Sequence, residues 1–231
     1  MNKFIFAAVL LPLLGMGNPV EKEFLGKAAE EIVQAGRFLN DNGLCPATSG
    51  NFSIRLGPDL FAITVSGKHK GELCTDDVML VNLQGMAQHS SKKPSAETAI
   101  HTVIYSLMEN VGAILHTHSV SGTVLSRILA PKTSIVTEGY EMHKALGIPT
   151  HESRVEIPIF ENSQDYPTLA AEIAEYIRNH PKIYGFYLRG HGLYTWGKDM
   201  KEAKIRVETF EFLFDCELKT AFIKNSFIID N

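Results

Sequence analysis

Two turns constrain the fold of this chain more than any other feature of its sequence. NFSIRL and LFAITVS are β-rich runs separated by Gly57-Pro58-Asp59, and IYGFYL and LYTW flank Arg189-Gly190-His191-Gly192. Short Gly-, Pro- and Asp-containing turns between such runs fold them back as antiparallel neighbours. Between the turns lie further strand-like runs, VMLVNL, AILHTH and VEIPIF, and segments with helical spacing. Phe24, Ala28, Ile32, Ala35 and Leu39 recur on one helical face from Glu21 to Asn40, with Gly43 placed to end it. Ser95 is read as the N-cap of a helix reaching Ser106. Helices are also expected near Val120 to Leu129, over GYEMHKAL up to Gly147, over TLAAEIAEYIRNH, and from Asp199 to about Phe222. No repeat, low-complexity tract or linker divides the chain. The expectation is one α/β domain, with a central mostly antiparallel or mixed sheet flanked by helices on both faces, and not a Rossmann array.

The 231 residues suffice for a sizeable core, and the apolar share of 45% with 21% charged residues is that of a globular chain. A net charge of -4 without any Lys/Arg-rich block gives no basis for nucleic-acid binding. Cys45, Cys74 and Cys216 are far apart and lack a CxxC pair, which argues against a disulfide framework or a closed structural zinc site.

The chemistry concentrates in GAILHTHSVSG, residues 112–122. In an extended segment residues two apart point the same way, so His116 and His118 can aim both rings at one point. Of the other histidines, His191 stands out. Gly190 and Gly192 flank it at a hairpin tip, and glycines let backbone approach a crowded site closely. Three imidazoles with a fourth position open describe a catalytic zinc or related divalent ion acting as a Lewis acid. TSGN (Thr48 to Asn51), SGK (Ser66 to Lys68) and Ser95 supply the hydroxyls and close-approach N–H groups that an anion needs, although such strings are also common turns.

HTHS, with PSAE upstream and HG far downstream, resembles the class II aldolase/adducin family over roughly Glu21 to Phe222. CPATSGNFS, ITVSGKHKG, KPSAETAIH, EGYEMHKALG and GHGLYTWG, in that order, are similar to the family's dehydratase branch. The resemblance implies a class II aldolase-like fold and one Zn2+ per subunit on His116, His118 and His191. It implies phosphate contacts at Gly50, Asn51, Ser66, Gly67 and Ser95. Glu141 in GYEM matches the acid/base glutamate of the dehydratases, and Glu97 in PSAE matches the carboxylate that approaches the metal in aldolase members. Some similar dehydratases carry cysteine where Glu97 stands, so its role stays open between base, ligand and pocket wall. The implied reaction is zinc-dependent dehydration of 5-methylthioribulose 1-phosphate in methionine salvage. The rival is an aldolase or epimerase acting on a fuculose or ribulose phosphate, and a further class is an adducin-like interaction domain without catalysis. The implied partners are a small sugar phosphate and further copies of the chain, as a homotetramer, with no nucleic acid and no membrane.

The first residues, MNKFIFAAVLLPLLGMG, have the outline of a secretory signal, but Met16 also opens a normal soluble N-terminus. The pathway implied above is cytoplasmic, so residues 1–15 are taken as a dispensable apolar segment and 16–231 as the catalytic domain. No other segment approaches the roughly 20 apolar residues of a membrane span.

Overall fold

Both turns are hairpins, and they fix the middle of a nine-stranded sheet. The structure is a computed structural model that describes residues 19–228, so the expectations for residues 1–15 lie outside the described residues. The strands are β1 (Asn51–Arg55), β2 (Leu60–Thr64), β3 (Val78–Asn82), β4 (Ala87–Gln88), β5 (Ala113–Thr117), β6 (Ser134–Thr137), β7 (Val155–Phe160), β8 (Gly185–Leu188) and β9 (Gly192–Gly197). The helices are α1 (Pro19–Asp41), α2 (Thr98–Leu107), α3 (Val120–Ile128), α4 (Tyr166–Asn179) and α5 (Met200–Ile228). The sheet order is β4-β3-β2-β1-β5-β9-β8-β7-β6, antiparallel throughout except for the parallel pair β7–β8. The strands β1 to β5 therefore lie on one side of the β5–β9 contact and β6 to β9 on the other.

Each face of the sheet is covered. On one face Ala28, Ile32, Ala35 and Leu39 of α1 and Ala203 and Val207 of α5 pack with Ala113 and Leu115 of β5. Leu125 of α3 and Phe210 and Phe214 of α5 continue that layer over β7 and β8. On the other face Ile100 and Ile104 of α2 and Leu169, Ile173 and Ile177 of α4 pack with Ile114, Tyr194 and Trp196. The side chains of β5 alternate accordingly, as the period of two requires. Ile114 and His116 face α2, whereas Ala113, Leu115 and Thr117 face α5.

Local differences from the sequence expectations have physical causes. The helix read from Ser95 begins at Thr98 with Glu97 at the N-cap, and Ser95 instead accepts from Glu97 and Thr98 in a turn before it. GYEMHKAL forms a 3-10 helix, Glu141–Leu146, closed by Gly147 at φ +82°. The last helix runs on to Ile228 because nothing in its sequence stops it at Phe222. Strands β4 and β6 lie outside the sequence expectations, since two and four residues are too short to display alternation. No helix among the described residues is long and apolar enough to cross a membrane.

Candidate metal centre and active site

His116 ends up in the interior because β5 is flanked on both sides, opposite Asn51 of β1 and Tyr194 of β9. His118 lies one residue past the strand, where its N–H donates to the Leu44 carbonyl at 2.8 Å. His191 sits at the tip of the β8–β9 hairpin, its N–H donating to Leu188 at 2.9 Å. The two flanking glycines have different jobs. Gly190 takes φ +66°, a region that disfavours other residues. Gly192 is a clearance: a Cβ there would lie 2.3 Å from the Thr117 carbonyl oxygen and 2.7 Å from His116 Cε1.

The three rings converge through their Nε2 atoms. His118 Nε2 is 2.9 Å and His191 Nε2 is 3.3 Å from His116 Nε2, and ligand atoms of all three lie within 4.8 Å of one another. Tetrahedral coordination at zinc–nitrogen distances of about 2.0–2.1 Å requires nitrogens roughly 3.3 Å apart. The spacing found is that of a ligand set. Two of the opposite nitrogens are tied back: His116 Nδ1–H donates to the Leu193 carbonyl at 2.9 Å and His191 Nδ1–H to Asn162 Oδ1 at 3.0 Å. Such ties fix the tautomer that leaves Nε2 bare. Burial, with the neighbouring His191 next, holds His116 well below the usual histidine range. Burial and the adjacent His116 push His118 down to about 3. Three imidazole nitrogens converging at this spacing are what a divalent cation needs, so the residues present fit a zinc-like ion.

Glu97 stands beside this cluster. Its Oε2 is 3.3 Å from His116 Nε2 and its Oε1 is 3.2 Å from His191 Nε2. Oε2 accepts from Asn51 Nδ2 at 2.6 Å and from the Tyr194 hydroxyl at 2.8 Å. The Asn51 amide thereby presents Oδ1 to His101 Nε2–H. His101 Nδ1 in turn accepts from Ser53 Oγ at 2.7 Å, and Ser53 lies 2.9 Å from the Tyr105 hydroxyl. This buried chain of hydrogen bonds fixes the Glu97 carboxylate from behind. Burial keeps His101 neutral, its pKa pushed down to about 3, in keeping with one donor and one acceptor nitrogen. Tyr194 also stacks on His116 at 4.0 Å between centroids, and burial followed by the Glu97 charge raises its hydroxyl well above the usual range.

The sequence-predicted anion loops adjoin this corner. Gly50 takes φ +80° and approaches β5 so closely that a Cβ would lie 2.7 Å from the His116 carbonyl oxygen. An isolated bridge between Val65 and Pro94 draws Ser66-Gly67 and Ser95 together, and the Asn51 amide is committed to Glu97 and His101. Glu141 is apart: its exposed carboxylate pairs with Lys144 at 2.5 Å and lies 3.9 Å from His151. No hydrogen bond or ion pair among the described residues joins Glu141 to His116, His118 or His191 of its own chain.

Three further residues of the site, Tyr194, His101 and Asn162, are absent from the sequence reading. Tyr194 was reachable from the alternation of β9, and His101 from its place four residues after Glu97, on the same face of α2. Asn162 lies in an irregular loop and carried no signal.

Among known proteins, the family model described as Class II Aldolase and Adducin N-terminal domain matches residues 30–218. A methylthioribulose-1-phosphate dehydratase of Pseudomonas fluorescens (strain Pf0-1) is 54% identical over 198 residues, covering 85% of this chain and 95% of that relative. One from Marinobacter nauticus is 53% identical over 194 residues, 84% of this chain and 93% of its own length. Among solved structures, the L-fuculose-1-phosphate aldolase of Thermus thermophilus superposes with a TM-score of 0.71 at 25% identity, covering 87% of this chain and 98% of that one. YgbL of Klebsiella pneumoniae, described as a putative aldolase/epimerase/decarboxylase, superposes with a TM-score of 0.72 at 25% identity over 83% of this chain and 88% of its own. Fold, histidine cluster and sequence agree, and the chain belongs to the class II aldolase/adducin family.

Proposed function

We infer that this protein is a hydro-lyase that converts 5-methylthioribulose 1-phosphate to 2,3-diketo-5-methylthiopentyl 1-phosphate. The observation that carries the reading is the Nε2 cluster with Glu97 beside it, in a chain 54% identical to a relative bearing that activity in its name. His116, His118 and His191 would hold one Zn2+ per subunit. A divalent ion there would supply Lewis acidity toward the substrate's oxygens. Glu97 would take the C3 proton, a role supported by its burial and by the hydrogen bonds it accepts from Asn51 and Tyr194. Glu141 delivers a proton to the C4 hydroxyl, the C4–O bond breaks, water leaves, and the resulting enol becomes the 2,3-diketone. Gly50, Asn51, Ser66, Gly67 and Ser95 form the phosphate side, with the Asn51 amide orienting Glu97.

Glu141 lies away from the cluster in its own chain, so its part rests on assembly. We propose a homotetramer in which Glu141 of one subunit completes the site of another. Val120, Val124 and Ile128 support this: they expose an apolar stripe on α3, which starts two residues after His118. The proposed setting is the cytoplasm and methionine salvage, with Met16 as an adequate start. The aldolase reading stays in view because Glu97 occupies the place of an aldolase acid/base.

A substrate panel on zinc-loaded protein decides between them. Formation of the diketone from 5-methylthioribulose 1-phosphate supports the dehydratase, and C3–C4 cleavage of fuculose or ribulose phosphates overturns it. Mixing His118→Ala with Glu141→Gln subunits tests the shared site. Activity should return in mixed oligomers, and sustained inactivity refutes it.

A further inference from the structure

Lys70 is the feature of this corner that the chemistry above leaves unused. The residue is 2% exposed, yet no carboxylate among the described residues comes within 4.0 Å of its ammonium. Instead Nζ donates to the backbone carbonyls of Thr48 at 2.9 Å and Lys68 at 2.7 Å. Those carbonyls belong to the two loops that carry Gly50-Asn51 and Ser66-Gly67. An ammonium has three donors, and two are spent, one on each loop. The backbone at Lys70 is itself pinned, since a Cβ on Gly36 of α1 would lie 2.4 Å from the Lys70 carbonyl oxygen.

Two carbonyls alone do not require a cation; a neutral amide would satisfy them, and enclosing an unpaired charge is costly. The cost is intelligible if a negative group arrives. An ammonium held between the two anion loops offsets part of the charge that a phosphate dianion brings. Lys68 is a poorer candidate despite its position, because its exposed ammonium is taken by Asp77 at 2.8 Å.

We propose that Lys70 is the buried counter-charge for the substrate's phosphate, a positioning residue that latches both anion loops and holds a third donor and its charge for the dianion. The proposal rests on the phosphate-handling part of the function above and not on the choice between dehydration and cleavage. Equilibrium titration of metal-loaded protein with inorganic phosphate is its test. Lys70→Met preserves the stem, so phosphate should bind at least tenfold more weakly with metal content unchanged, while Lys68→Ala should stay within twofold of wild type. With the phosphorylated substrate, KM should rise by a similar factor and kcat change less than threefold, a split that a merely structural latch would not give. A folded, metal-loaded Lys70→Met protein that binds phosphate as wild type does overturns the proposal. Should that variant fail to fold, the nitrogen-15 resonance of Lys70 Nζ in wild type decides. It moves on phosphate addition if the ammonium serves the anion, and a fixed resonance overturns the proposal. Because phosphate binding is read without turnover, failure of the dehydratase assignment leaves this outcome separately visible.

Discussion

Replacing Gly192 by alanine should cripple the metal centre without touching a ligand. The added Cβ would lie 2.3 Å from the Thr117 carbonyl oxygen, 2.7 Å from His116 Cε1 and 3.1 Å from His118 Cδ2. Carbon and oxygen settle at roughly 3.5 Å, so β9 and β5 must part by about 1 Å where Thr117 pairs with Leu193. Overpacking of this kind typically costs about 1–3 kcal/mol, or roughly 2–12 °C in Tm for a chain of this length. Displaced support for ligating histidines typically lowers metal affinity about 10–100-fold. Gly190→Ala is the matched control. It suffers the left-handed backbone at φ +66°, worth about 1 kcal/mol, but its Cβ meets only the flexible Arg127 side chain at 3.4 Å. Zinc affinity by chelator competition, beside Tm, separates the two: Gly192→Ala should lose affinity and Gly190→Ala should keep it. Wild-type zinc affinity in Gly192→Ala, or equal losses in both, would refute the clearance argument.

His191→Ala should abolish bound zinc and turnover while circular dichroism shows an intact fold; full activity with one zinc per chain would sink the three-histidine centre. Glu141→Gln should lower kcat by about 10²–10⁴ with unchanged zinc content, and persisting exchange of the C3 proton for deuterium would leave Glu97 as the C3 base. An active Glu141→Gln enzyme would move the aldolase reading ahead. Glu211 of α5 lies behind Thr117 and Ser119, and burial raises its carboxyl to about 7 from the ordinary 4.5. Its folded pKa is the higher one, so its contribution to stability is complete below pH 4.5 and is lost as pH rises through about 7. Glu211→Gln should therefore be more stable than wild type at pH 8, by up to about 3 kcal/mol, with no advantage at pH 4. Equal denaturation midpoints at pH 8 would contradict this.

The sequence carried the sheet's centre and the metal ligands for one reason: their signals are local. The Gly57-Pro58-Asp59 turn and the glycines around His191 dictate backbone shape wherever they occur, and the His116/His118 spacing works in any extended segment. Glu97 was visible as a residue, but its place in the network was not. Its partners Asn51, Tyr194 and His191 are scattered along the chain and meet only through strand register. Lys70 is a similar case. A lysine in a polar loop reads as a solvated charge, and only the packing of α1 and the two anion loops around it shows otherwise. Short edge strands such as β6 escape for another reason, since four residues cannot establish a period.

The sheet order has a consequence for metal supply. Two pieces of chain, one contributing five strands and the other four, join within the sheet at the seam where β5 pairs with β9. His116 and His118 belong to the first piece and His191 to the second, 75 residues on from His116. An ion bound by all three would act as a clasp across that seam. At a thousandfold excess over its Kd it would add about 4 kcal/mol to the native state. Metal starvation would then erode the protein itself as well as its turnover, opening the seam to proteases before any residue is altered.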